Sequence, residues 1–415
     1  MRFIADFHIH SKYSRATSPQ MDLINLDKWA KIKGIKVLGT GDFTHPEWLK
    51  TLESQLEPAE SGLFKLKASE SPTRFMLTSE ISCIYSKKGQ VRKIHIIVFA
   101  PSFDAVKKIN TQLGWIGNLK SDGRPILGLD AKELAKIVLS ASEDCLVVPA
   151  HIWTPWFSLF GSKSGFDAIE ECFEDYSKYI FAGETGLSSD PAMNWRLSAL
   201  DKITLISNSD SHSPRKIGRE ANVFDTDISY KAIIDAIKIK DSKKFLYTVE
   251  FFPEEGKYHY DGHRACGISL SPKESKKYNN ICPRCLKPLT IGVLNRVEQL
   301  ADRPEGSRPE NSIPFRSLIP LEEIIAEAKG MLPGAKGVAK EYDNLIEKIG
   351  SEFKVLLEAS KENLDKVTFP EISEGIIKTR EGKVYIEPGF DGVYGKVKIF
   401  SKEEQKKAIK QKTLF

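Results

Sequence analysis

The chain has only 6 cysteines in 415 residues, too few and too dispersed for a disulfide scaffold. No apolar run approaches the ~20 residues that span a bilayer, and the first residues lack the basic-then-apolar layout of a secretory leader. A cytoplasmic protein with no membrane partner is therefore expected. There is no internal repeat, which excludes solenoids and propellers. Neither sign of charge dominates: 61 Lys and Arg face 56 Asp and Glu, for a net +5. That balance permits a polyanionic partner without requiring one. What remains is an ordinary globular composition, 41% hydrophobic and 28% charged, in a chain long enough for more than one core.

From residue 1 to about 250, short apolar runs alternate with amphipathic stretches. The runs are "RFIADF", "IKVLGT", "FMLTSEI", "KIHIIVFA", "CLVVPA", "YIFAGE" and "ITLISN"; "MDLINLDKWAKIKG" and "AKELAKIVLSAS" read as helices between them. This order predicts a parallel α/β barrel or sheet. Asp42, Glu80, His151, Glu184, Asp210 and His212 sit in or just after these runs, where parallel barrels place their active face. His95 departs from this by lying well inside its run.

Further divisions follow from composition. Residues 251–300 are rich in Gly, Pro, Lys and Cys, and 301–320 read as a polar linker. Residues 321–365 read as a helical domain, with Val338, Tyr342, Leu345, Ile349, Phe353 and Leu356 along one core face. Residues 366–401 alternate like strands around glycine turns, and 402–415 form a basic tail.

Two groups of residues carry chemistry. In "DFHIHS", His8 and His10 are two apart, so an extended backbone points both imidazoles to one side. They and His45, His95, His151 and His212 all fall in or near the strand-like runs, with Asp42 near His45 and Asp210 near His212. As a set they point to a metal cluster. Imidazole and carboxylate ligands without cysteine suit Zn, Mn or Fe, which activate water and neutralise phosphate oxygens. Glu80, with two oxygens, could bridge two ions. Separately, "HRAC" supplies His263 and Cys266, and "CPRC" supplies Cys282 and Cys285. Two such knuckles match a tetrahedral structural zinc site, with His259 or Asp261 as alternatives to His263.

"DFHIHS", "GDFTH", "SEIS", "HIIVFA", "PAHIW" and "SNSDSHS", in this order, resemble the PHP (polymerase and histidinol phosphatase) family over residues 1–250. The resemblance implies an α/β fold with a distorted (βα)7 barrel that hydrolyses phosphoesters with up to three ions. It implies His8, His10, Glu80 and Asp210 around one ion, Glu80, His95 and His151 around a second, and His212 on a third. The family's usual adjacent Asp-His pair is here split into Asp42-Phe43-Thr44-His45, which leaves Asp42 and His45 as candidates for the third ion. Zn is the expected metal, with Mg or Mn also able to support catalysis.

The zinc module and the following "LTIGVLNRVEQLADRPEG" make the chain similar, over nearly its whole length, to the endonuclease Q family of DNA-repair nucleases. That similarity implies damaged double- or single-stranded DNA as partner. It implies hydrolysis 5′ to hypoxanthine, uracil, xanthine or an abasic site, leaving 3′-hydroxyl and 5′-phosphate ends. Glu80 is the central catalytic candidate, with Glu184 and Asp190 to orient water or the base edge. A lesion-selective nuclease must hold the extracted base between apolar groups. The loop "IWTPWFSLFGSKSG" offers Trp153, Trp156 and Phe157 for that, and Arg196 and Arg215 stand near the last motifs to meet phosphates. In "QKTLF", Gln411, Leu414 and Phe415 resemble the start of a sliding-clamp docking peptide. A small-molecule phosphatase would share the barrel without needing the appendages; a non-catalytic DNA- or clamp-binding factor would keep the appendages without needing the ligands.

Overall fold

A computed structural model describes residues 1–401 and Glu404. Gln411, Leu414 and Phe415, the clamp-docking residues expected from the sequence, lie outside the described residues. No helix among the described residues is long and apolar enough to cross a membrane.

All seven apolar runs contain strands, at Arg2–Asp6, Val37–Gly39, Arg74–Lys87, Gln90–Ala100, Leu146–Pro149, Ala182–Glu184 and Thr204–Ile206. The first three pair in parallel, as do the last two. The prediction of a parallel sheet fails in the middle. Arg74–Lys87 and Gln90–Ala100 form one long antiparallel hairpin, registered from Leu77 opposite Ala100 to Lys87 opposite Gln90. Its turn is Lys88-Gly89, at φ 51° and 74°. Two positive φ values at the central positions suit the right-handed twist of a hairpin, so no crossover helix is needed. His95 therefore sits mid-strand, opposite Ser82, on a strand that runs against its neighbours.

Main-chain contacts continue around the remaining gaps. Ile152 N donates to Glu184 O at 3.0 Å, and His10 N donates to Ser211 O at 3.0 Å beside the Ile9–Ser211 bridge. Alternate side chains sort into two cores, as a period of two requires. Ala5, Phe7, Ile97, Phe99 and Val148 fall in one, and Leu38, Ile96, Val98 and Val147 in the other. The second core is completed by helices that begin at local caps: Asp22 before Leu23–Lys33, Ser102 before Phe103–Gly114 and Asp130 before Ala131–Ala141. In each, the cap side chain satisfies an orphan backbone N–H.

The sheet extends on its other side through antiparallel Ala221–Asp225 and Phe245–Glu250 to Phe315–Ser317. The stretch expected as a 301–320 linker thus ends as a strand paired with Thr248–Glu250, and Arg303 is clamped to Asp201 at 2.5 Å. A polar, proline-rich composition marks irregular backbone, not freedom. The stripe from Val338 to Leu356 is split between a helix over Lys336–Ile349, ending at Gly350 (φ 115°), and a wide turn at Lys354–Glu358. Residues 366–401 are not all β-rich: Pro370–Arg380 is a helix, leaving only the Tyr385–Glu387 and Lys396–Lys398 hairpin. Pro370 at the first helical turn starts it, and Ile372, Ile376 and Thr379 face inward at helical spacing.

Candidate active site

Just past the opening strand, the ring centres of His8 and His10 lie 5.4 Å apart. His8, His10, Glu80 and Asp210 bring one ligand atom each within 4.8 Å of one another, and so do Glu80, His95 and His151. Glu80 belongs to both groups and presents a different oxygen to each. Its Oε1 lies 2.7 Å from His95 Nδ1 and 3.1 Å from His151 Nε2; its Oε2 lies 3.3 Å from His10 Nε2 and 3.5 Å from His8 Nε2. His10 Nε2 is also 3.1 Å from Asp210 Oδ1.

One observation tests whether these residues fit metal ions. His8 Nε2 is buried without a hydrogen-bond partner, yet it faces carboxylate oxygens of Glu80 and Asp210. A buried unpaired nitrogen is costly unless something fills the gap, and a cation between it and the carboxylates does so. The residues fit. Burial alone would raise the Glu80 carboxyl, but the charges of His95, Arg124 and His8 hold it well below the usual range.

The opposite nitrogens of these imidazoles are held in place. His8 Nδ1 meets Glu184 Oε1 at 3.0 Å, and His10 Nδ1 meets Asp42 Oδ1 at 3.1 Å. His151 Nδ1 meets Thr154 Oγ1 at 3.1 Å. Such partners fix ring orientation and tautomer at metal sites. Glu184 is fully engaged in this way, since it also accepts from His151 N and Asn208 Nδ2 at 2.8 and 2.9 Å. Asp42 is equally occupied, its Oδ2 accepting from Ser11 N, Ser11 Oγ and Ser14 Oγ. Asp42, His151 and Asp210 hold left-handed backbones at φ 51°, 29° and 46°. Strain of this kind, at residues other than glycine, gathers where a site dictates side-chain direction.

The residues expected around a third ion do not come together. Asp42 orients His10; His45 stacks on Tyr13 at 4.4 Å; His212 lies against His10 at 4.5 Å. No third group of ligands assembles here among the described residues. The inserted Phe43 is fully buried, and His45 N donates to Asp42 O at 2.9 Å while its ring lies against Tyr13.

Several other expected site residues serve the fold. Asp190 caps the short Pro191–Asn194 helix by accepting from Met193 N at 2.8 Å. Trp153 is fully buried, packs on Phe160 and donates to Asn194 Oδ1 at 2.7 Å. Arg196 is buried against Glu298. Arg215 lies over the Trp29 ring and near Glu322. The two aromatic residues left at the site's edge are Phe157, tilted 4.7 Å from His95, and Trp156, 51% exposed with Lys93 Nζ over its ring.

Arg124 is the site residue that the sequence did not reveal. Its Nη1 donates to Glu80 Oε2 at 2.9 Å. It follows the turn at Asp122-Gly123 in a stretch without strand or helix period, so neither pattern nor motif marks it.

At the cysteine module, His263, Cys266, Cys282 and Cys285 converge within 4.8 Å. Asp261, weighed as an alternative ligand, accepts from Gly292 N and Asn295 Nδ2, while His259 lies outside the cluster. Three thiols and an imidazole with no open position form the donor set of a structural zinc site.

Known proteins resemble this chain in sequence and in fold. Residues 320–383 match the MJ0043 C-terminal domain family. The chain is 35% identical over 255 residues to protein MJ0043 of Methanocaldococcus jannaschii, spanning 60% of this chain and 31% of that one. It is 29% identical to YqxK of Bacillus subtilis, covering 96% of this chain and 99% of that one. The lesion-specific endonuclease PfuEndoQ of Pyrococcus furiosus superposes at a TM-score of 0.85 with 31% identity, covering 96% of this chain and 95% of that one. Endonuclease Q bound to a 27-mer duplex substrate with an abasic lesion at its active site superposes at 0.84, with 31% identity over 98% of both chains. The fold and the site define a metal-dependent nuclease. The chain belongs to the endonuclease Q family of DNA-repair endonucleases.

Proposed function

We propose that this protein nicks damaged DNA at the phosphodiester 5′ to hypoxanthine, uracil, xanthine or an abasic site, leaving 3′-hydroxyl and 5′-phosphate ends. The observation that carries the reading is Glu80, shared by two ligand groups in a chain that matches endonuclease Q from end to end. The substrate duplex held by a relative with an abasic lesion at its active site supports the choice of DNA.

In this reading His8, His10, Glu80 and Asp210 hold one ion, and Glu80, His95 and His151 hold another. Zinc fits the donors, with Mg or Mn as alternatives. Bound ions would supply an activated water and neutralise the phosphate. The chain's own part is to hold geometry: Glu184 and Asp42 aim His8 and His10, and Thr154 aims His151. Trp156 and Phe157 stand where an extruded base can stack. The cysteine module carries one structural zinc and keeps the region after the sheet folded. A nuclease of this kind belongs with the DNA in the cytoplasm, and the clamp-like tail would recruit it to the sliding clamp.

End-labelled duplexes bearing one deoxyinosine, uracil or abasic site test this, with undamaged duplex and His8→Ala as controls. A metal-dependent nick just 5′ of the lesion, absent from the control, is expected. Tight binding with no nick under any metal would overturn it.

A further inference from the structure

The loop from Asn118 to Pro125 reaches the candidate site and is fixed at or beside three of its motifs. Gly123 N donates to Tyr13 O at 3.0 Å, next to "DFHIHS". Thr44 Oγ1, in "GDFTH", donates to Gly123 O at 3.1 Å. Ser82 N, two residues past Glu80, donates to Pro125 O at 3.0 Å. Asp122 turns the loop, accepting from Arg124 N at 3.1 Å while pairing with the Arg15 side chain at 3.2 Å. The fit is close at Gly123, where an added Cβ would lie 2.3 Å from Asp42 Oδ2.

This loop holds one cation over the ligand cluster. Arg124 is bonded through Nη1 to the oxygen of Glu80 that faces His8 and His10, and its side chain is 27% exposed. Among the described residues, that carboxylate is the guanidinium's one hydrogen-bond partner, so the rest of the fork has donors to give. A fully paired structural arginine would look different, as Arg380 does, spending Nε, Nη1 and Nη2 on the carbonyls of Leu356, Ala359 and Val355. A half-engaged, rigidly mounted guanidinium beside ligands for cations is placed to meet an anion arriving at them. Phosphate is the anion whose geometry the fork matches.

We infer that Arg124 contacts the scissile phosphate, donating to a non-bridging oxygen and stabilising the charge that grows there as the bond breaks. This rests on the phosphodiesterase reading above and adds a residue to it. Glu80 has the second function of aiming the guanidinium.

Single-turnover nicking of the abasic duplex by wild type, Arg124→Ala and Arg124→Lys, with metal content and melting temperature recorded for each, tests the inference. Loss of one such donor is expected to slow cleavage about 10²–10³-fold in Arg124→Ala, with Lys intermediate and metal content unchanged. Calorimetric titration with inorganic phosphate gives a readout without cleavage: wild type should bind it and Arg124→Ala should bind it at least tenfold more weakly. Equal phosphate binding by both proteins would overturn the inference, whether or not the duplex is nicked. So would a slowed Arg124→Ala that has lost metal in proportion. A wild type that binds phosphate through Arg124 but nicks no lesion would instead overturn the proposed function alone.

Discussion

At the scale of residues, the site is built as imidazoles each held from behind. Glu184 is engaged by three partners, and among the ligand imidazoles it touches His8. Glu184→Gln should cost about 10–100-fold in metal affinity or nicking rate, the usual loss when a ligand's orienting partner is removed, and metal titration of the variant checks it. A second buried carboxylate, Glu250, is pushed up to about 8 by its burial, against hydrogen bonds from Thr248 and Thr185. The folded protein therefore keeps a proton that the unfolded chain releases. The stability this gives is complete below the ordinary glutamate range and is lost as pH rises through about 8. Glu250→Gln should raise the melting temperature at pH 9, on the order of 2 °C or more, and change it little at pH 5; equal curves at both would contradict this. The ligand histidines were legible because their spacing and strand-end positions are sequence properties. Arg124 was not, because a loop's reach is set by what it packs on, and Asp42 could be marked as important without showing that its oxygens are spent on Ser11 and Ser14.

At the scale of elements, apolar period located the seven strands and the helices between them, since burial on one face or two leaves its mark on sequence. Direction left no mark: nothing in "KIHIIVFA" states that it runs antiparallel, and the decisive signal is the short Lys88-Gly89 turn before it. The stripe from Val338 to Leu356 was legible as core, and it packs beside a buried Lys33–Glu352 pair, 2.5 Å apart, that joins the helical region to the first helix of the sheet. Pro370–Arg380 was misread because its apolar residues also suit a strand, and only the helix-starting proline separates the two readings. Leu345 is fully buried, so Leu345→Ala should lower stability by about 2–5 kcal/mol, read from denaturant unfolding, with the nicking reaction retained below the new midpoint.

At the scale of the molecule, the cysteine module and the C-terminal hairpin are one unit. Asp391 accepts from Arg264 N and from Thr290 Oγ1, both at 2.6 Å, tying the hairpin to the strand that carries His263. Cys282→Ala should therefore expose both segments to protease together while metal binding by the Glu80 groups is unaffected, because an ion held by these four ligands would supply folding energy locally. The central claim is that one carboxylate organises two ions for cleavage. Metal analysis of wild type and Glu80→Ala, paired with nicking of the abasic duplex, tests it most directly. Glu80→Ala should stay folded, keep the metal of the cysteine module, lose the ions of the Glu80 groups and no longer nick. A Glu80→Ala protein that retains those ions and cuts at the wild-type rate would contradict it.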